Sequence, residues 1–255
     1  MKTRKRALWL IFALLAIAMV AAMTSLNGQS KSNNAQQKNT DESQMPIVDY
    51  STSEPSAQEK QTKRYAKGLR YNNLPAKVEE FPGDVEVTEA ESWIERLPAL
   101  PVSKSDAIVL GRVTNTQAFL SPDKSGVYSE FKIEINEILK DKSGASLVPN
   151  MELIAEREGG RIRFPSGHVQ LFRLSGQGAL HVGGRYLLFL KCTEQPTDFL
   201  LLTAYELRGG RVYPIDDVTR HAVYKGSDET TFLNTVRKAI TDSSQVSVGG
   251  EKQSR

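Results

Sequence analysis

Apolar positions enter this chain in three rhythms, and each rhythm predicts a different kind of element. The first is an unbroken run. Residues 1–6 carry four basic side chains, and residues 7–23 then continue for 17 positions without a charge. A basic flank ahead of an apolar run is the pattern of an export signal or of the inner flank of a membrane anchor. The run is long for a signal core and short for a spanning helix, which needs roughly 17–25 residues. Val20, Ala21 and Ala22 offer small residues for cleavage after Ala22. Residues 1–26 are therefore a signal peptide or a signal-anchor helix. In either case the remainder is placed across the membrane, giving an extracytoplasmic protein that is membrane-anchored, periplasmic or secreted.

Behind the leader the apolar signal disappears. Residues 27–64 are rich in Ser, Gln, Asn and Lys and carry few bulky apolar side chains, too few to offset the entropy of ordering. This stretch is expected to be a disordered tether. Residues 65–102 form a partly ordered lead-in, where Tyr65, Leu69, Tyr71, Leu74, Val78 and Phe81 show no clear period. Thr88 and Glu91 have capping-box spacing and predict a short helix ending before Pro98. Trp93, Ile94 and Leu97 would form its apolar stripe, a candidate partner-docking surface.

The second rhythm, with period two, starts near Ser105. Residues 108–113 form a buried apolar run with Gly111 in the middle, a sign of a bend or bulge. In residues 127–139, Phe131, Ile133 and Ile135 alternate with Lys132, Glu134 and Asn136, the mark of a half-buried strand. Residues 151–156 predict a third strand. Gly159-Gly160 predicts a tight hairpin turn into residues 161–164, and extended structure resumes at 169–174 after Pro165-Ser166-Gly167. Gly183-Gly184 leads into the apolar run 186–190, and residues 199–205 follow as another strand. Gly209-Gly210 predicts a hairpin into residues 211–213. Short, evenly punctuated strands of this kind indicate a small barrel or sandwich.

The third rhythm is helical and lies near the end. Asp228 is a plausible N-cap, and Phe232, Leu233, Val236 and Ile240 share one face of a helix. Residues 217–241 are thus a loop and a C-terminal helix, and residues 242–255 a disordered tail.

The strand pattern resembles the β-barrel core of netrin-like and metalloproteinase-inhibitor-like domains, an OB-type fold. The residues that carry the resemblance are 105–113, 131–140 and 182–190. The order of leader, tether, β core and helix is similar to a family of uncharacterised bacterial envelope proteins. The resemblance implies a mainly β chain, with an OB-like small barrel over residues 103–216 and a C-terminal α-helix, preceded by the N-terminal hydrophobic helix and tether. Metalloproteinase inhibitors of that fold present a disulfide-held N-terminal cysteine to the enzyme's zinc. Here Cys192 is the only cysteine, so that mechanism does not transfer.

Composition narrows the function classes. The formal net charge is +3, and the barrel region 103–216 holds 14 basic and 13 acidic residues. Nucleic-acid binding depends on a concentrated basic face, so no nucleic-acid partner is expected. One cysteine excludes a disulfide framework and a cysteine-rich zinc site. His168, His181 and His221 lack metal-ligand spacing, and no metal or cofactor is expected. The glycines at 176 and 178 begin like a dinucleotide fingerprint, but His181 stands where it would need its last glycine, and no βαβ context surrounds it.

Two constellations remain. Arg157, Arg161, Arg163, Arg173 and Arg185 could form a rim that grips the anionic groups of an envelope polymer. Ser166 beside His168 offers a nucleophile and a base, though without a nucleophile elbow. The leading expectation is a noncatalytic binding or scaffolding module of the cell envelope. It would touch the membrane through its leader if uncleaved, and an envelope protein or polymer through its barrel. The alternatives are an extracytoplasmic hydrolase using Ser166 and His168, and a structural part of an envelope assembly.

Overall fold

A computed structural model describes residues 45–51, 55–72, 78–82, 86–89, 96–193 and 198–249. The chain is mainly β with a C-terminal helix. In order it forms β1 (Ile47–Asp49), α1 (Lys63–Gly68), β2 (Glu86–Glu89), β3 (Ala107–Leu120) and β4 (Val127–Asp141). There follow β5 (Glu152–Glu158), β6 (Gly160–Arg163), β7 (Val169–Leu174), β8 (Arg185–Cys192), β9 (Asp198–Arg208), β10 (Arg211–Pro214) and α2 (Glu229–Gly249).

The period-two segments pair with one another. β3 pairs antiparallel with β4, and β4 with β5. β5 pairs parallel with β9, β9 antiparallel with β8, and β8 antiparallel with β3. The pairings that leave β3 through β4 therefore return to it through β8. Alternate residues of all five strands meet on the inner side, where Val109, Phe131, Ile133, Leu153, Tyr186 and Leu188 form one cluster. Each such large side chain contributes roughly 1.5–3 kcal/mol by leaving water.

Gly111 sits at a register shift between β3 and β4, as its place in an apolar run predicts. A Cβ there would stand 2.5 Å from Ile133 Cγ2 and 2.9 Å from the Glu134 carbonyl oxygen. The strand can therefore bend at this point only with glycine.

The outer side of β3, β8, β9 and β10 is also apolar. Ile108, Leu110, Phe189, Tyr205 and Val212 meet Phe232, Leu233 and Val236 of α2 there. Asp228 caps that helix as expected: its Oδ1 accepts from the Thr231 amide at 2.9 Å. The Gly209-Gly210 hairpin also forms, with φ of 58° and 70°. A second sheet, in the order β1-β6-β7-β2, packs Ile162 and Phe164 against Ala118 and Val127, near the β3–β4 turn.

Four expectations differ from the structure. Gly159-Gly160 is not a hairpin, because β5 and β6 belong to different sheets. Gly159, with φ of 100°, turns the chain from one sheet into the other, and a Cβ on it would stand 2.9 Å from the Phe172 carbonyl. Part of the expected tether is ordered: β1 adds to β6, a helical turn forms at Glu59–Gln61, and α1 starts at Lys63. Backbone pairing with β6 orders β1, together with Val48 and Tyr50 packed on the Ile162 and Phe164 cluster, Tyr50 stacking on Phe164 at 5.2 Å. Thr88 does not open a helix, since it lies in β2 opposite Arg173. The C-terminal helix continues past Ile240 to Gly249, because Ser and Gln do not forbid helix once a packed segment has nucleated it.

The leader, residues 27–44 of the tether, and Trp93 and Ile94 of the docking stripe lie outside the described residues. Among the described residues no helix is long and apolar enough to cross a membrane.

Candidate functional site

The five arginines of the expected rim do not share one surface. Arg157 is buried, and its guanidinium bonds Asp216 at 2.9 Å and the Gly178 carbonyl at 2.8 Å. Arg161, Arg163 and Arg173 lie on one face of the small sheet by register. Arg163 pairs there with Asp49 of β1 at 3.2 Å, and Arg173 donates to the Gln177 carbonyl at 3.4 Å. Arg185 pairs with Glu229 at the start of α2, 2.7 Å away.

Ser166 and His168 do come together, on the exposed turn between β6 and β7. A third residue organises them. Ser166 Oγ bonds the Glu80 carboxylate, and His168 Nδ1 lies 3.1 Å from the same oxygen. The carboxylate thus stands between hydroxyl and imidazole. A triad needs the imidazole at the hydroxyl, where it can take the proton. Cys192 is half-buried, its Sγ 3.5 Å from the Ser143 carbonyl. Burial pushes its pKa up, which keeps the thiol protonated and unreactive at neutral pH. Leu97 is buried in the cluster under α2, so it packs within the chain. Among the described residues no group of acidic, His or Cys side chains has metal-binding geometry.

The most concentrated chemistry is on the outer face of β4, β5 and β9. Glu130 is the register partner of Glu156. Ile154, one inter-residue step away on that face, is the partner of Asp198. Three carboxylates therefore converge by strand pairing alone. Their neutralisation comes from α1 and the turn behind it. Lys67 Nζ lies 2.8 Å from Glu130, 2.8 Å from Asp198 and 3.7 Å from Glu156. Arg70 bonds Glu156 Oε1.

Burial works against the Lys67 ammonium, but the Asp198 and Glu130 hydrogen bonds outweigh it, and its pKa stands above the ordinary lysine value. Burial lifts the Glu156 carboxyl above its ordinary value, against the pull of Arg70 and Lys67. Two aromatic contacts complete the seat. Tyr71 stacks on Tyr128 with centroids 4.4 Å apart, and the Arg64 guanidinium lies 4.2 Å over the Phe119 ring. This face can hold a protein segment by its cations and by one aromatic ring.

A second buried group lies at the inner end of β5. Asp216 accepts from Arg157, from Thr203 Oγ1 at 2.6 Å and from the Gly178 amide at 3.1 Å. His221 is fully buried beside it and leans on Tyr205, with ring centroids 6.0 Å apart.

Sequence reading passes over the acidic seat for a physical reason. Glu130 and Glu156 occupy the polar positions of alternating strands, which ordinarily face water, and nothing local shows that a distant segment covers them. The only signal is the three-residue spacing of Arg64, Lys67 and Arg70, which is a helical period carried by cations. Comparison with known protein families and with curated proteins finds no match for this chain.

Proposed function

We propose that this protein is an exported or membrane-tethered, noncatalytic binding or scaffolding module of the cell envelope, built on an OB-like five-stranded barrel. The strand pairings that leave and return to β3 support the barrel reading. So does the Greek-key step by which β8 lies beside β3 while β9 returns to β5. The basic flank and apolar run of the leader support export. The observation that carries the binding reading is the outer face of β4 and β5. OB-type barrels commonly take oligomeric ligands on the face of their second and third strands, which correspond to β4 and β5 here. In this chain that face seats a protein segment through side chains.

The test is capture from detergent-solubilised envelope with the full chain as bait. A saturable partner is expected. Its retention should fall at least tenfold in Glu134→Lys/Glu152→Lys, on the β4–β5 face, and stay unchanged in Arg161→Ser/Arg163→Ser. A folded bait that retains no partner overturns the binding reading, and loss only in the arginine variant moves the site to the small sheet. Fractionation tests the location: a full-length cytosolic species overturns export.

A further inference from the structure

The segment 59–72 is attached to the rest of the protein in an unusual way. Among the described residues its backbone–backbone hydrogen bonds stay within residues 56–72: Lys60 to Ser56, Gln61 to Gln58, Thr62 to Glu59, Ala66 to Thr62 and Asn72 to Leu69. Thr62 Oγ1 caps α1 by accepting from the Tyr65 amide. At its last turn it also bonds the body: the Tyr71 carbonyl accepts from Ser125 Oγ at 3.5 Å, and Asn72 Oδ1 accepts from the Asp123 amide at 3.3 Å. The rest of its hold on the barrel is one row of side chains: Arg64 on Phe119, Lys67 among Glu130, Asp198 and Glu156, Arg70 on Glu156, and Tyr71 on Tyr128. Gly68 lets the helix come close, since a Cβ there would stand 2.9 Å from Pro122 Cδ. The i, i+3 and i+7 spacings of Arg64, Lys67 and Tyr71 are among those by which an amphipathic helix is read when it binds a groove as a separate peptide.

The acidic end of the seat is closed by the segment's own ring. Glu156 and Tyr71 are 1% and 7% exposed, and the Tyr71 hydroxyl donates to the Glu156 carboxylate, which lowers the pKa of the acid. Lys67 Nζ, 3.7 Å from Glu156 Oε2, is beyond hydrogen-bond reach.

We propose that residues 59–72 act as an internal pseudo-ligand on a peptide-recognition groove, and that the groove's partner is a helical protein segment bearing two cations three residues apart followed by an aromatic ring. The Lys67, Arg70 and Tyr71 pattern defines that chemistry. The two sides of the segment are tied down separately, by β1 on β6 and by the Val78 amide on the Lys124 carbonyl. Displacement would therefore lift it as a strap and leave the barrel intact. This inference rests on the binding reading above and names the chemistry of its partner.

The experiment uses the full chain and a fluorescent synthetic peptide of residues 59–72. Lys67→Ser/Arg70→Ser removes the internal cations and leaves the three carboxylates in place. That variant, checked for native circular dichroism, is expected to bind the peptide saturably and at least tenfold more tightly than the unaltered protein. A peptide with Glu at the Lys67 and Arg70 positions is expected to bind at least tenfold more weakly. Three results overturn the proposal: no saturable binding, equal binding of the Glu peptide, or equal affinity of variant and unaltered protein.

If the variant fails to fold, hydrogen exchange on the unaltered protein decides. Excess peptide is expected to speed exchange at residues 63–71, and an unchanged rate overturns the proposal. A null peptide result beside an intact envelope partner would remove only this inference, whereas loss of the envelope partner itself would remove the binding reading.

Discussion

At the scale of single residues, backbone geometry and burial make opposite demands at positions that look alike in the sequence. Gly178 and Gly210 are both loop glycines. A Cβ on Gly178 would stand 1.9 Å from the Ile215 carbonyl oxygen, backbone against backbone, whereas one on Gly210 would meet nothing. Gly178→Ala is therefore expected to cost about 3 kcal/mol in denaturant unfolding. Gly210→Ala should cost only about 1 kcal/mol, from its left-handed φ of 70°. Equal costs would contradict the close approach of residues 178 and 215.

His221 makes a pH-dependent demand. Burial holds its pKa below the ordinary value; Asp216 pulls the other way, Arg220 and Arg157 add to the lowering, and a hydrogen bond with the Pro98 backbone opposes it. The unfolded chain takes up this proton near the ordinary value of about 6.5, and the folded chain only at lower pH. The unfolded state thus binds more protons between the two values. His221 therefore leaves stability unaffected above about pH 6.5 and erodes it as pH falls below that. Melting curves from pH 8 to pH 5 should show a smaller decline in His221→Phe than in the unaltered protein. Identical declines would remove the assignment.

At the scale of elements, α2 holds two separable contributions. Asp228 caps its first turn through the Thr231 amide and hydroxyl, so Asp228→Ala should cost about 1 kcal/mol in chemical denaturation. Phe232 is 2% exposed and packs on Tyr205 and Tyr224, so Phe232→Ala should cost about 3–5 kcal/mol. A cap variant as damaging as the core variant would mean that the helix start is tied to the body by more than its cap.

The same helix shows which elements a sequence makes legible. Its cap and apolar face are local and strong, and so are the alternation in β4, the run in β8 and the Gly209-Gly210 turn. All of these are visible without the fold. Gly159 is invisible in that sense. Its positive φ fits a hairpin and a passage between sheets equally well, and only the partner of β6 separates them. β1 and α1 are invisible for a different reason. Three residues of backbone pairing and a row of cations carry no hydrophobic period, and composition alone reads their surroundings as unstructured. The Ser166 and His168 pair was visible, but the Glu80 that organises it is 86 residues away from Ser166. The acidic seat needs Glu130, Glu156 and Asp198 to become neighbours, which strand pairing alone accomplishes.

At the scale of the whole molecule, the two sheets differ in how each strand is held. Every strand that leaves and returns to β3 has a neighbour on both sides, and their inner side chains share one core. No single strand among them can detach without breaking two ladders. In the smaller sheet, β1 pairs over three residues with β6 alone, and β2 over four residues with β7 alone. Both are edge pairings in the parallel sense, which is slightly less stable per residue. Local opening follows such differences in ladder support and core contact. Native-state hydrogen exchange should therefore separate two classes of amide. Those of β3, β8 and β9 should exchange only through global unfolding and respond steeply to added denaturant. Those of β1 and β2 should exchange through local opening and stay nearly insensitive to denaturant until the global transition approaches. Peeling of β1 would also free the N-terminal side of the segment that covers the acidic face, so exchange at residues 63–71 should follow that edge strand. Amides of β1 and β2 that exchange as slowly as those of β8 would instead make both sheets one cooperative unit, with that segment locked onto it.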